Sequence, residues 1–216
     1  MFINIHTHLP HKNGSWSIQN LFKDFESIRS LFYYSVGIHP WHIDENTIAT
    51  ELAKVKMASE LKNVFAIGEC GLDRVCKTPF KLQEKIFIEQ LLWANEIAKP
   101  LIIHCVRAHR EILFLLKEHN NLAPVIFHGF NNNEEIANSI IDAGYMISFG
   151  KSLLYPNAEK VFSKLPIENI FLETDDNEIM IDDIYKQAAK IKNISTERLS
   201  LQIQKNRNKV FNTIAL

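Results

Sequence analysis

The sequence holds no apolar run that approaches the ~18 residues a membrane-spanning helix needs, so no membrane span is expected. It also lacks an excess of either charge, with 24 Lys and Arg against 25 Asp and Glu. A protein that gripped long duplex DNA over its whole surface would be basic. Any basic groups that meet a polyanion here are therefore confined to a cleft. Cysteine is scarce: Cys70, Cys76 and Cys105 stand at no metal-site spacing. An odd, small number of this kind points to free thiols in a reducing, cytoplasmic setting. The opening MFINIHTH has neither a basic stretch nor a long apolar run, and no secretory signal is expected. There is no internal repeat, low-complexity tract or flexible linker, so residues 1–216 read as one domain with a large core. Against these absences, nine histidines stand out.

Short apolar runs recur between longer helical patterns. Strands are expected at 2–5, 16–21, 32–36, 64–67, 101–103, 125–127, 145–147 and 170–172, apolar on both faces as in covered parallel sheets. Thr78 and Pro79 read as a helix cap and first turn. Phe80, Phe87, Leu91, Ala94 and Ala98 would then share one stripe. Asn131–Asn133 with Glu134 and Glu135 opens another helix, buried along Ile136 and Ile140 and ended by Gly144. Ser195 can cap the last helix, which buries Leu199, Ile203, Val210 and Phe211. Eight strands alternating with helices predict an α/β fold, a (β/α)8 TIM barrel, with an open doubly wound sheet as the alternative. Only seven residues separate His8 from Trp16, so the first crossover helix should be shortened or missing.

The polar residues fall where strands end. The first strand gives His6-Thr-His8, the third His39, the fourth Glu69, the fifth His104, the sixth His128 and the eighth Glu173-Thr-Asp175. The second gives nothing. In a parallel barrel these C-terminal ends meet at one face. A lone histidine at a strand end is more often a hydrogen-bonded structural residue, and an isolated His-x-His pair is a weak signal. Six ligand-type residues at five strand ends differ in kind, because burying that many ionisable groups together without an ion is costly. The expected metal ligands are His6, His8, Glu69, His104, His128 and Asp175. Two divalent ions, Mg, Mn or Zn, suit such a set, with Glu69 the candidate bridge. Asn4 is expected beneath the ligands on the same strand face. His11, His42, His109 and His119 read as surface or helix residues, and Cys70 and Cys105 as core thiols.

In chain order the motifs NIHTHL, VGIHPW, IGECGLD, KPLIIHC, FHGF and LETD, with the tail NRNKVF, resemble the TatD-like family of metal-dependent deoxyribonucleases among the amidohydrolase-like barrels. The likeness covers essentially the whole chain. It implies that His6, His8 and Asp175 bind one ion, that His104 and His128 bind a second, and that Glu69 bridges them. The implied activity is metal-dependent phosphodiester hydrolysis at DNA ends. Three departures stand out: Asn4 where the family commonly has Asp, Arg107 displaced by one residue after Cys105, and Asp176-Asn177 where Ala-Pro is usual.

On this reading Asp175 and Glu69 are the catalytic carboxylates, with Asp175 orienting or deprotonating the attacking water. Glu173 would orient a ligand histidine. His39, Arg107 and Lys151 are candidates for the phosphate or leaving group, each weighed against an ordinary surface or packing role. Asp73 is expected to anchor the turn at Gly71–Arg74. Trp41 and Phe130 stand at strand-end loops, where they either stack on bases or pack the loops. DNA, single-stranded or at ends, is the expected partner, with no membrane and no obligate protein partner. The competing readings are hydrolysis of small phosphoesters, amides or lactones, and a degenerate barrel without catalysis. No lysine stands between Val64 and Asp73 to serve as a modified bridge, which favours the nuclease-like branch.

Overall fold

A computed structural model describes residues 1–10 and 15–211. In chain order the elements are β1 (Phe2–Thr7), β2 (Ser15–Leu21), β3 (Tyr33–Val36), α1 (Ile48–Ser59), β4 (Val64–Asp73), α2 (Phe80–Glu96), β5 (Leu101–Val106), α3 (His109–Glu118), β6 (Val125–Phe127), α4 (Glu134–Asp142), β7 (Met146–Phe149), α5 (Pro156–Lys164), β8 (Ile170–Leu172), α6 (Ile181–Lys192) and α7 (Thr196–Phe211). The strands follow chain order in one sheet. Sequential order, with β8 returning to β1 through a parallel bridge between Thr7 and Asp175, is that of a (β/α)8 barrel and rules out the doubly wound alternative. Among the described residues no helix stands between β1 and β2, as the short spacing required. No helix among them is long and apolar enough to cross a membrane.

The described residues divide into two compact units, 1–10 and 15–19 with 126–211, and 20–125. In the first, β6, β7 and β8 pair in parallel, as do β1 and β2. Helix α7 buries Leu199, Ile203, Val210 and Phe211, and its Ser195 cap accepts from the Arg198 amide at 3.2 Å. The Tyr185 hydroxyl of α6 accepts from Ile3 N at 3.0 Å and donates to Ile3 O at 3.1 Å, tying α6 to β1. Asn133 caps α4 through Ile136 N, and Gly144 follows the helix at φ +85°. Ile140 is buried there together with Ala137, whereas Ile136 is half-buried.

In the second unit β3, β4 and β5 pair in parallel beneath α1, α2 and α3. Glycine is needed at 68 and 71, where φ is +156° and +145°. A Cβ there would come within 2.6 Å of Ile102 O and 2.0 Å of His104 O. Helix α2 begins one residue later than its sequence suggests, because Thr78 Oγ1 donates to Pro40 O at 2.7 Å instead of capping the helix. Its stripe also stops short: Ala98 lies beyond the helix end at φ +52° and is exposed. Two buried glutamines clamp strand ends from α2. Gln90 accepts from Ile38 N at 2.7 Å and donates to Ile38 O at 3.1 Å, and Gln83 does the same for Asp73 at 2.8 and 3.0 Å.

Candidate metal centre

Four of the expected ligands come together in the first unit. His6 Nε2 and His8 Nε2 each lie 3.5 Å from Asp175 Oδ1. The His6 and His128 rings are 4.2 Å apart between centroids. Backbone pairing holds this arrangement: Asp175 N donates to His6 O at 3.1 Å, and His8 N donates to Asp175 O at 3.0 Å. The left-handed backbone at Asp175, φ +52°, turns the chain as it leaves β8. Glu173 stands behind His128, with Oε1 3.5 Å from His128 Nδ1 and accepting from Gly129 N at 2.7 Å. Two donor triads result, His6–His8–Asp175 and His128–Glu173–Asp175, each with its ligand atoms within 4.8 Å of one another.

Asn4 departs from expectation. It lines one cavity with Thr7, three residues on, together with Ser17, Thr174 and Ile181. Strict alternation would put residues 4 and 7 on opposite faces. The pairing of β1 with β2 slips between Asn4 and Thr7: they pair with Ser17 and Gln19, only two apart, so the bulge brings residues 4 and 7 into one phase. Asn4 instead clamps Thr174, donating to its Oγ1 at 2.9 Å and accepting from its N at 3.0 Å, immediately before Asp175.

The second unit holds Glu69 and His104, and adds His39. His104 Nδ1 lies 2.9 Å from Glu69 Oε1, and His39 Nε2 lies 3.3 Å from the same oxygen. These three form a further donor triad. His39 Nδ1 accepts from Trp41 N at 3.1 Å, which leaves its Nε2 to donate to Glu69. Burial holds the His39 pKa below its ordinary value, against the pull of Glu69. His39, expected at the phosphate, thus packs buried against a candidate ligand. On the far side of His104, Nε2 lies 3.3 Å from Asp73 Oδ2, the arrangement in which a carboxylate orients a metal-binding imidazole. Asp73 also anchors its turn as expected, accepting at Oδ1 from Val75 N at 2.7 Å and Cys76 N at 3.2 Å.

Sequence reasoning missed Asn20. The second strand does contribute: Asn20 Oδ1 accepts from Glu69 N at 2.6 Å and from Ser35 Oγ at 3.0 Å, all buried. The available signal was a pair of amides, Gln19 and Asn20, near the end of a strand. Of the remaining candidates, Arg107 and Lys151 are exposed, and among the described residues neither is held in an ion pair. Phe130 is a core residue, 5.4 Å from Phe149 between centroids, whereas Trp41 is 64% exposed. His11 lies outside the described residues. All three cysteines are free, and burial pushes the Cys70 and Cys105 thiols up, the latter to about 12.

The donor set fits a divalent ion. Imidazole and carboxylate atoms converge from separate strand ends, and none of the described residues offers the buried Glu173 Oε2 a hydrogen bond. A (β/α)8 barrel with such groups at the C-terminal ends of its strands defines a metal-dependent hydrolase. The TatD related DNase family model matches residues 4–212, and the chain belongs to this family. It is 31% identical over 219 residues to an uncharacterized metal-dependent hydrolase of Buchnera aphidicola subsp. Baizongia pistaciae, covering 92% of this chain and 82% of the relative. The crystal structure of YjjV, a TatD homologue from Escherichia coli K12, superposes with a TM-score of 0.83 at 22% identity, over 98% of both chains. A TatD-family hydrolase of Entamoeba histolytica gives 0.82 at 19% identity, over 97% of both.

Proposed function

We propose that this hydrolase is a deoxyribonuclease that removes nucleotides from DNA ends, using two divalent ions. The observation that carries the reading is the convergence of His6, His8 and Asp175, three donors whose backbones are locked together, in a chain of the TatD related DNase family. On the family resemblance, His6, His8 and Asp175 would hold one ion and His104 and His128 the other, with Glu69 serving both. When bound, such ions supply Lewis acidity that lowers the pKa of water and offsets phosphoryl charge.

The chain's own side chains do the rest. Asp175 is partly exposed, its side chain at 35%, which supports a role for its carboxylate in taking a proton from the attacking water. Glu173 fixes the ring of His128, and Asp73 fixes the ring of His104. Asn20 holds the Glu69 backbone. Arg107 and Lys151, exposed at the ends of β5 and β7, draw in the phosphate. The near-zero net charge favours a second reading, a small phosphoester substrate, since little long-range attraction for a polyanion is built in. That all six ligand positions carry competent residues argues against a degenerate barrel.

Metal-stripped protein resupplied with magnesium or manganese should shorten end-labelled single-stranded DNA stepwise, and Glu69→Gln should not. A wild type that binds metal and hydrolyses small phosphoesters but leaves DNA intact would move the assignment to the second reading.

A further inference from the structure

Trp41 is solvent-exposed over 64% of its surface, yet it is fixed. Its Nε1 donates to Asp73 Oδ2 at 2.6 Å, and Asp73 is itself 2% exposed and pinned by Val75 N, Cys76 N and Gln83. The preceding Pro40 is buried and its carbonyl accepts from Thr78 Oγ1. The indole stands nearly perpendicular to His39, at 5.0 Å and 88°, and lies 6.2 Å from His104. The buried carboxylate oxygen that holds the indole is the one that meets His104 Nε2. An exposed tryptophan used only for packing would bury its ring. Here the indole N–H is held by a buried carboxylate while most of the residue is left to water, beside candidate metal ligands. A second aromatic pair adjoins it: Phe22 stacks on His42 at 4.2 Å and 28°, with Lys23 Nζ 5.4 Å from the Phe22 centroid. The His42 ring lies 5.6 Å from that of His39.

Given the near-neutral charge of the chain, affinity for a nucleic acid strand cannot rest on a broad basic surface. Stacking supplies the missing hold, since every base presents a π-face whatever the sequence. We infer that Trp41 is the platform on which an unpaired nucleobase of the substrate strand stacks, with Asp73 preorganising the indole. This rests on the nuclease reading for its substrate class and adds to it the residue that recognises the base. The preference it confers is for unpaired bases over base-free phosphodiesters, with little discrimination among the four bases. A ring held before the substrate arrives loses no rotamer freedom on binding.

The test uses full-length, metal-stripped protein and two labelled probes of equal length, oligothymidylate and an abasic oligomer with the same number of phosphates. Fluorescence anisotropy should show the wild type binding oligothymidylate roughly ten-fold more tightly than the abasic strand. Trp41→Ala should bind both equally while staying folded, with a melting temperature lowered no further than the lost bond to Asp73 accounts for, and Trp41→Phe, which loses the same bond, should retain most of the preference. A wild type that binds both probes equally, or binds neither, overturns the inference, as does an undiminished preference in Trp41→Ala. Cleavage of the same probes after metal is restored is scored separately. A kept base preference without cleavage defeats the nuclease reading alone, and cleavage without base preference defeats the platform alone.

Discussion

The two units hold their ligands by different means. In the first, Asp175 meets His6 and His8 because main chains pair: the hydrogen bonds run from Asp175 N to His6 O and from His8 N to Asp175 O. Thr7 Oγ1 adds a side-chain bond to Asp175 O at 3.3 Å, but the main-chain pair is what brings the three residues together. In the second, Glu69 sits in a chain of side chains, Asn20 at its backbone, His39 and His104 at its carboxylate, then Asp73 and Trp41 beyond His104. The buried members of such a network depend on one another, since losing one leaves its partner unsatisfied. The first ligand group should therefore tolerate changes in its surroundings, and the second should not.

The largest effect is expected from Glu69→Gln. It should reduce metal-dependent hydrolysis by more than the roughly 10–100-fold that a supporting residue costs, read from steady-state rates at saturating metal. Metal removal comes next. A divalent ion at a hundred times its dissociation constant stabilises the native state by about 2.7 kcal/mol, so chelation should lower the melting temperature of the wild type more than that of Glu69→Gln. The sharpest test of the contrast is a matched pair. Asn20→Ala should weaken metal binding roughly 10–100-fold, whereas Asn4→Ala, which strips the clamp on Thr174, should leave metal affinity close to wild type. Both variants should lose about 1–3 kcal/mol of stability in denaturant titrations from unpartnered buried groups. Equal losses of metal affinity in the two would break the comparison. The smallest effect is at Tyr185→Phe, expected to cost about 1 kcal/mol through Ile3 N and O with no change in metal uptake.

What was legible in the sequence follows the same division. Apolar runs bounded by turns marked all eight strands, and the short interval after His8 agrees with the lack of a crossover helix among the described residues there. His6, His8, His128 and Asp175 could be read because ligand-type residues at strand ends are rare and the strands themselves are easy to find. Glu173 behind His128 could be read from its two-residue spacing to Asp175. The support of Glu69 could not. Asn20, Gln83 and Gln90 act through tertiary hydrogen bonds that leave no local pattern, and a single amide in a strand or helix has many ordinary explanations. Asn4 was placed on the wrong face for a related reason. Alternation is a local rule, and a bulge between residues 4 and 7 is set by pairing with β2. Thr78 likewise has a capping residue's chemistry but a better partner in Pro40 O, brought near only by the fold.

The most direct test of the account is the uptake of manganese or zinc by metal-stripped protein, followed by calorimetry for the wild type, Glu69→Gln and Asp175→Asn. Two ions per chain are expected in the wild type, with weakened or reduced uptake in both variants. A wild type that takes up no divalent ion, or variants that bind as the wild type does, would contradict it.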